Sequence, residues 1–188
     1  MAKYLDEARQ VLRDEAYALQ VLADSLGDGF ERTVDCLLGI RGRIAVTGMG
    51  KSGHVARKIA ATLASTGSPA YFIHPAEASH GDLGMMTPDD AVIAKSNSGN
   101  TAELTDIVLY ASQNNMPLIA ITRNADSFLG KHCDYLLQQP QLHEACPLDC
   151  APTTSTTVQM ALGDALAMCL LTARGFLRTV LVFTFVLF

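Results

Sequence analysis

Residues 44–54, Ile44-Ala45-Val46-Thr47-Gly48-Met49-Gly50-Lys51-Ser52-Gly53-His54, decide the fold. An apolar run breaks into a glycine-rich turn, and the turn opens a helical pattern. The same grammar returns about fifty positions later, where Ala91-Val92-Ile93-Ala94 leads to Ser96-Asn97-Ser98-Gly99-Asn100-Thr101 and then Ala102-Glu103-Leu104. A strand, a small-residue turn and a helix start make an anion site, because free backbone N–H groups and the positive end of the helix dipole converge there. Two such turns in one α/β domain predict a phosphorylated ligand held from two loops. The hydroxyls of Ser96, Ser98 and Thr101 suit phosphate oxygens better than the flat face of a cofactor.

Working outward, residues 3–26 carry apolar side chains at Leu5, Ala8, Leu12, Ala16, Leu19, Leu22, Ala23 and Leu26, one stripe along a long helix. Gly27 and Gly29 end it, and a second helix follows over 30–40. From Gly42 onward strands near 43–47, 69–73, 91–95, 118–122 and 134–137 alternate with helices near 52–66, 101–114 and 155–173, with shorter ones near 75–82 and 125–131. Alternation with near-continuous apolar strands predicts a three-layer α/β sandwich around a parallel sheet. Ligands of such sheets bind beyond the carboxyl ends of the strands, where both loops fall.

With 188 residues, 49% hydrophobic and 18% charged, the chain has the makings of one soluble domain with a real core. A net charge of −5 offers no basic footprint for nucleic acid. The first thirty residues alternate charged and apolar positions helically, unlike a leader or a membrane span. Five cysteines at irregular spacing fit reduced thiols and a cytoplasmic setting. The last nine residues, from Val180 to Phe188, are almost entirely apolar; they are expected either to pack into an interface or not to be the natural end of the protein.

Gly48-x-Gly50-x-x-Gly53 also matches the dinucleotide fingerprint. That reading needs a carboxylate at the end of the second strand, and the sequence there is Tyr71-Phe72-Ile73-His74-Pro75, with none before Glu77. A Walker loop fails too, because Ala45 stands where its first glycine belongs. No cofactor is therefore expected. His143-x-x-Cys146-x-x-x-Cys150 is not a zinc spacing. The threonines and serine of 153–157 read as a cap for the last helix, and Met160 and Cys169 on it read as core.

Taken together, several stretches resemble the sugar isomerase (SIS) domain of the arabinose-5-phosphate isomerase family. They are 48–54, Ala64-Ser65-Thr66-Gly67, His74-Pro75-Ala76-Glu77-Ala78-Ser79-His80-Gly81-Asp82-Leu83-Gly84-Met85, 96–104, Glu144-Ala145-Cys146-Pro147-Leu148, 151–157 and 163–167. The resemblance covers about 4–176 and divides the chain into an N-terminal helical extension (1–41), a SIS domain (42–176) and an atypical apolar tail (177–188). It implies a five-stranded parallel sheet, a homotetramer, and interconversion of ribulose 5-phosphate and arabinose 5-phosphate, a step that feeds lipopolysaccharide synthesis. Family members continue past Gly175-Phe176 with a Ser-His-Pro-Gly-Gly motif and, at full length, with CBS modules. This sequence turns instead to Leu177-Arg178-Thr179-Val180.

Aldose–ketose isomerisation needs a base near carbon, an acid for oxygen and a clamp on phosphate. The resemblance implies catalytic roles for Lys51, Glu103, Glu144 and His80, without saying which glutamate takes the proton. It implies substrate contacts from Gly50, Ser52, Gly67, Ser68, His74, His80, Ser96, Ser98 and Thr101, and for His74 a non-essential zinc contact. The expected partner is a pentose 5-phosphate, with no nucleic acid and no membrane. The competing expectation is a module that binds a sugar phosphate without turning it over, or an isomerase impaired beyond residue 176.

Overall fold

Five short, mostly apolar runs form β1 (Ile44–Gly48), β2 (Ala70–Ile73), β3 (Ala91–Lys95), β4 (Leu118–Thr122) and β5 (Tyr135–Gln138). The computed structural model describes residues 3–175, so the tail expected over 177–188 lies outside the described residues. All strand pairs are parallel, in the order β2-β1-β3-β4-β5. Parallel neighbours require crossover connections, and these carry helices onto both faces of the sheet. One face is covered by α1 (Lys3–Ser25), α2 (Asp28–Gly39), α3 (Lys51–Ser65) and α7 (Thr154–Ala173). Here Leu22, Leu37, Ile59 and Leu166 close over Val46, Ile93 and Ile121. The other face meets α4 (Pro75–Ala78), α5 (Thr105–Gln113) and α6 (Phe128–His132), whose Ala78, Ile107 and Leu129 cover Ala45, Val92 and Ala120. The expected three-layer sandwich forms.

The chain leaves β1 for β2 on one side and returns to β3 on the other. The order therefore reverses at β1, and a crevice opens between the carboxyl ends of β1 and β3. The ladder pairs Gly48 with Lys95, so both small-residue loops spring from the same level of the sheet, side by side.

Several elements differ from the sequence reading. The helix expected over 75–82 is a single turn. Pro75 fixes its start, and beyond it Gly81 takes φ 129 before a 3-10 turn at Asp82–Met85. Ser127 accepts the Gly130 N–H, so α6 starts at Phe128, later than expected. Of the expected α1 stripe only Leu22 is buried and Leu19 partly so, joined by Ala18 from outside it; Leu5 (56% exposed), Ala8, Leu12 (66%), Ala16 and Ala23 are exposed. Met160 and Cys169 are corrected from core to exposed. Met160 lies on the side of α7 turned away from the buried row of Val158, Leu162, Leu166 and Leu170, whereas Cys169 flanks that row in the exposed last turns of the helix.

By length and composition α7 could cross a membrane, yet in this fold it packs against α1, α2 and α3. Its Gly163 lets Ile59 of α3 approach so closely that a Cβ would collide. Leu166, fully buried at that junction, should cost about 2–5 kcal/mol of unfolding free energy when replaced by alanine. Urea unfolding of Leu166→Ala tests this, and an unchanged midpoint would show that α7 is not a core element.

Candidate active site

The glycines of the first loop are there for approach distance. A Cβ on Gly53 would stand 2.7 Å from the Gly48 carbonyl oxygen, and one on Gly48 would press at 3.0 Å on the Ser52 carbonyl and on Lys95 Cγ. Gly50 holds φ +58, a conformation that favours glycine. The result is a helix start drawn tightly onto the end of β1. No side chain caps α3; the Gly53 and His54 N–H groups donate back to Met49 and Gly50, which leaves those of Lys51 and Ser52 for a ligand in the crevice. Lys51 is its first residue and is exposed, with Ser52 half-buried beside it.

The second loop is organised by its own hydroxyls. Ser96 Oγ lies 2.7 Å from Thr101 Oγ1 and 3.5 Å from Ser98 Oγ, and it accepts the Gly99 N–H at 3.0 Å. Ser98 Oγ accepts the Asn100 N–H at 3.3 Å. The start of α6 pins the loop from outside: the Leu129 N–H donates to the Gly99 carbonyl (3.0 Å) and the Phe128 N–H to Asn100 Oδ1 (2.9 Å). Three hydroxyls are thus held together, fixed before any ligand arrives. Glu103 follows in an exposed 3-10 turn, Ala102–Leu104, that leads directly into α5.

The structure gathers most of the expected residues at this edge. His74 directly follows β2, beside β1, and α4 behind it packs against the turn that carries Glu103, which brings exposed His80 to the same neighbourhood. His74 Nδ1 is buried without a hydrogen-bond partner, and its ring meets Phe72 edge-on at 6.2 Å. Among the described residues no three His, Cys, Asp or Glu side chains cluster as metal ligands. Gly67 and Ser68 lie apart from the other expected contacts: they follow the carboxyl end of α3 and precede β2, at the amino edge of the sheet. That is about 15 Å, a strand's length, from both loops. Gly67 takes φ +86 to end the helix, and buried Ser68 donates its N–H to Leu63.

Glu144 lies on the far side of the edge, in the segment between β5 and α7. Its Oε2 accepts the Thr153 N–H (2.8 Å), the Ser155 N–H (3.1 Å) and the Thr153 hydroxyl (3.3 Å), a carboxylate closing the start of α7. Burial pushes this carboxyl up, but the hydrogen bonds from Ser155 and Thr153 outweigh it and hold the group below the usual glutamate value. Asp149 accepts the Glu144 N–H and pairs with His143 Nδ1 at 2.8 Å, fixing the segment. An open cleft of about 640 Å³ lies here, lined by Asn97, Arg123, His143, Glu144, Asp149 and Pro152, and joined to the hydroxyl loop through Asn97. Another depression, about 420 Å³ near Asn115 and Asp134, is at the opposite edge and touches neither loop.

Sequence reading missed Lys95. It closes a strand otherwise built of small and apolar residues, is fully buried, and donates from Nζ to the Ser52 carbonyl at 3.2 Å. Burial pushes its ammonium down to about 7. The signal was available: a charged residue inside a strand that must be covered on both faces.

Comparison with known proteins gives the family and the fold. The family model for the SIS domain matches residues 37–169. The Arabinose 5-phosphate isomerase KdsD of Pseudomonas aeruginosa is 50% identical over 173 residues, 92% of this chain and 53% of that protein. The Arabinose 5-phosphate isomerase KpsF of Escherichia coli O6:H1 is 47% identical over 174 residues, with the same coverage of each. The chain thus spans about half the length of these relatives. Among solved structures, c3406 of E. coli CFT073 in complex with arabinose 5-phosphate superposes with a TM-score of 0.91 at 38% identity, over 95% of each chain.

Because the Glu144 carboxyl is held below its unfolded value, it stabilises the fold above that value, and the stability is lost as pH falls through the folded one. Glu144→Gln should therefore unfold about 1 kcal/mol more easily than wild type at pH 7, and the gap should shrink as pH falls below the ordinary glutamate value of about 4.3. Thermal unfolding of both proteins between pH 3 and 7 measures it; a gap that widens in acid would contradict the capping role.

Proposed function

We propose a reaction from one premise: the chain belongs to the SIS-domain family, and its SIS domain is of the arabinose-5-phosphate isomerase type. The reaction is the interconversion of arabinose 5-phosphate and ribulose 5-phosphate through an enediol. What carries this reading is the placement of the uncapped start of α3 beside the three-hydroxyl loop, with Lys51 and Glu103 in the turns that follow. The loops bind the phosphate through N–H groups and hydroxyls. That anchor presents the sugar carbons to the flanking side chains, converting proton transfer into a local step.

Glu103 takes the C2 proton of the open-chain aldose and returns it to C1, while the O2 hydroxyl proton passes to O1, leaving the carbonyl at C2. The Lys51 ammonium faces the oxygen on which negative charge develops. His80, reaching the same edge from beyond α4, assists ring opening. Glu144 is spent on closing α7 and holds its proton weakly, so it serves as a positioning residue rather than as the base. The product would feed lipopolysaccharide synthesis in the cytoplasm, a setting that fits five free thiols.

The active form is a homo-oligomer, a tetramer in this proposal. The support is apolar surface left uncovered by the single chain: Tyr4, Leu5, Leu12 and Tyr17 on α1, with Met160 and Met168 on α7.

Incubation with arabinose 5-phosphate should yield ribulose 5-phosphate, and Lys51→Ala and Glu103→Gln should each lower turnover at least about 100-fold while leaving the fold intact. Binding without turnover in wild type would favour the sensing module, and near wild-type rates in either variant would remove that residue from the mechanism. Light scattering of the wild-type chain should give a multiple of 20.1 kDa, reduced by Leu12→Asp. A wild-type monomer would overturn the assembly.

A further inference from the structure

Lys95 has no role in the reaction as derived, yet it is among the largest fully buried side chains in the protein. Its position is special. It is the last residue of β3, immediately before Ser96, and it pairs across the ladder with Gly48, where the first loop begins. Its Nζ reaches under that loop to the Ser52 carbonyl in the first turn of α3. It therefore lies where both loops leave the sheet.

A buried ammonium ordinarily has a carboxylate beside it, because an unpaired charge in a low-dielectric interior is costly. Lys95 forms no ion pair among the described residues. The ionisable side chains on the neighbouring elements are Lys51, His54, Arg57 and Lys58 on α3, Glu103 on the turn after the second loop, Arg123 after β4, and Asp164 on α7. Asp164 is committed to Lys58, and none of these groups offsets the burial of Lys95. One of its three donors is placed on a neutral carbonyl.

We propose that Lys95 is a further positioning residue of the phosphate site, a buried cation whose counter-ion is the phosphate of the bound ligand. The inference rests on the reading that the two loops hold a sugar phosphate. Without ligand the amine is neutral in much of the population at neutral pH and above. A dianion seated between the loops favours the ammonium form, so binding draws in a proton. The charged side chain then fixes the Ser52 carbonyl, and with it the first turn of α3 against the phosphate. Phosphate recognition and the alignment of Lys51 at the start of the same helix become one event.

Calorimetric titration of the full chain with arabinose 5-phosphate at pH 8, in Tris and in HEPES, reads proton uptake from the difference in apparent heats. At that pH the phosphate monoester is already a dianion, so the ligand itself takes up no proton. Wild type should take up most of one proton at pH 8 and progressively less toward pH 6, where free Lys95 is already charged. Lys95→Met should abolish the uptake and weaken binding at least about tenfold, the scale of one charged hydrogen bond. Lys95→Gln serves as the second variant, and should either fail to fold, the wild-type uptake profile decides alone. Binding by wild type without uptake, or uptake that persists in either variant, overturns this inference while leaving the isomerase reading in place. Failure of both arabinose 5-phosphate and inorganic phosphate to bind overturns both.

Discussion

The functional edge depends on one pairing, Gly48 opposite Lys95 in the parallel ladder between β1 and β3. The register levels the ends of two strands that are neighbours in space but belong to different crossover units. The chain departs from them in loops that have only one direction open, outward from the carboxyl edge. A shift by one residue would turn Ile93 and Val46 to the wrong faces and lose their core contacts, so burial on both faces fixes the register and, with it, the distance between the loops. The site is held in place by the hydrophobic layering beneath it.

In the proposed reaction the phosphate is held mainly by dipoles. Serine and threonine hydroxyls and first-turn N–H groups present partial positive charge to an anion without the desolvation cost of burying several ions. Their geometry is set in advance: Ser96, Ser98 and Thr101 bond to one another, and α6 pins Gly99 and Asn100. Such preorganisation removes part of the ordering penalty of binding. The carboxylates divide by surroundings. Glu103 lies exposed in its 3-10 turn, whereas Glu144 accepts three hydrogen bonds on Oε2 from Thr153 and Ser155 at the start of α7.

Local rules reached this far because they operate locally. Strand alternation, the Gly50 turn and the hydroxyl loop are written in runs of five to ten residues, and the sheet, its cover and the main loops followed from them. What was not legible depends on packing between distant segments. The capping of α7 by Glu144 spans nine to eleven residues of irregular backbone. Leu5 and Leu12 fit the helical stripe, but periodicity says nothing of where the sandwich beneath it ends. Gly67 and Ser68 came by family likeness. Strand–helix alternation alone would have set them at the amino edge, since a helix that starts at the carboxyl edge must end at the other. Lys95 escaped because a lysine at a strand end ordinarily reads as solvated.

The central claim is that one phosphate is held between the two loops. A crystal structure of the chain with arabinose 5-phosphate tests it most directly. The account predicts phosphate oxygens within hydrogen-bonding distance of the Ser96, Ser98 and Thr101 hydroxyls and of the first N–H groups of α3. A phosphate seated instead beside Arg123 and His143, or at the amino edge near Gly67, would contradict it.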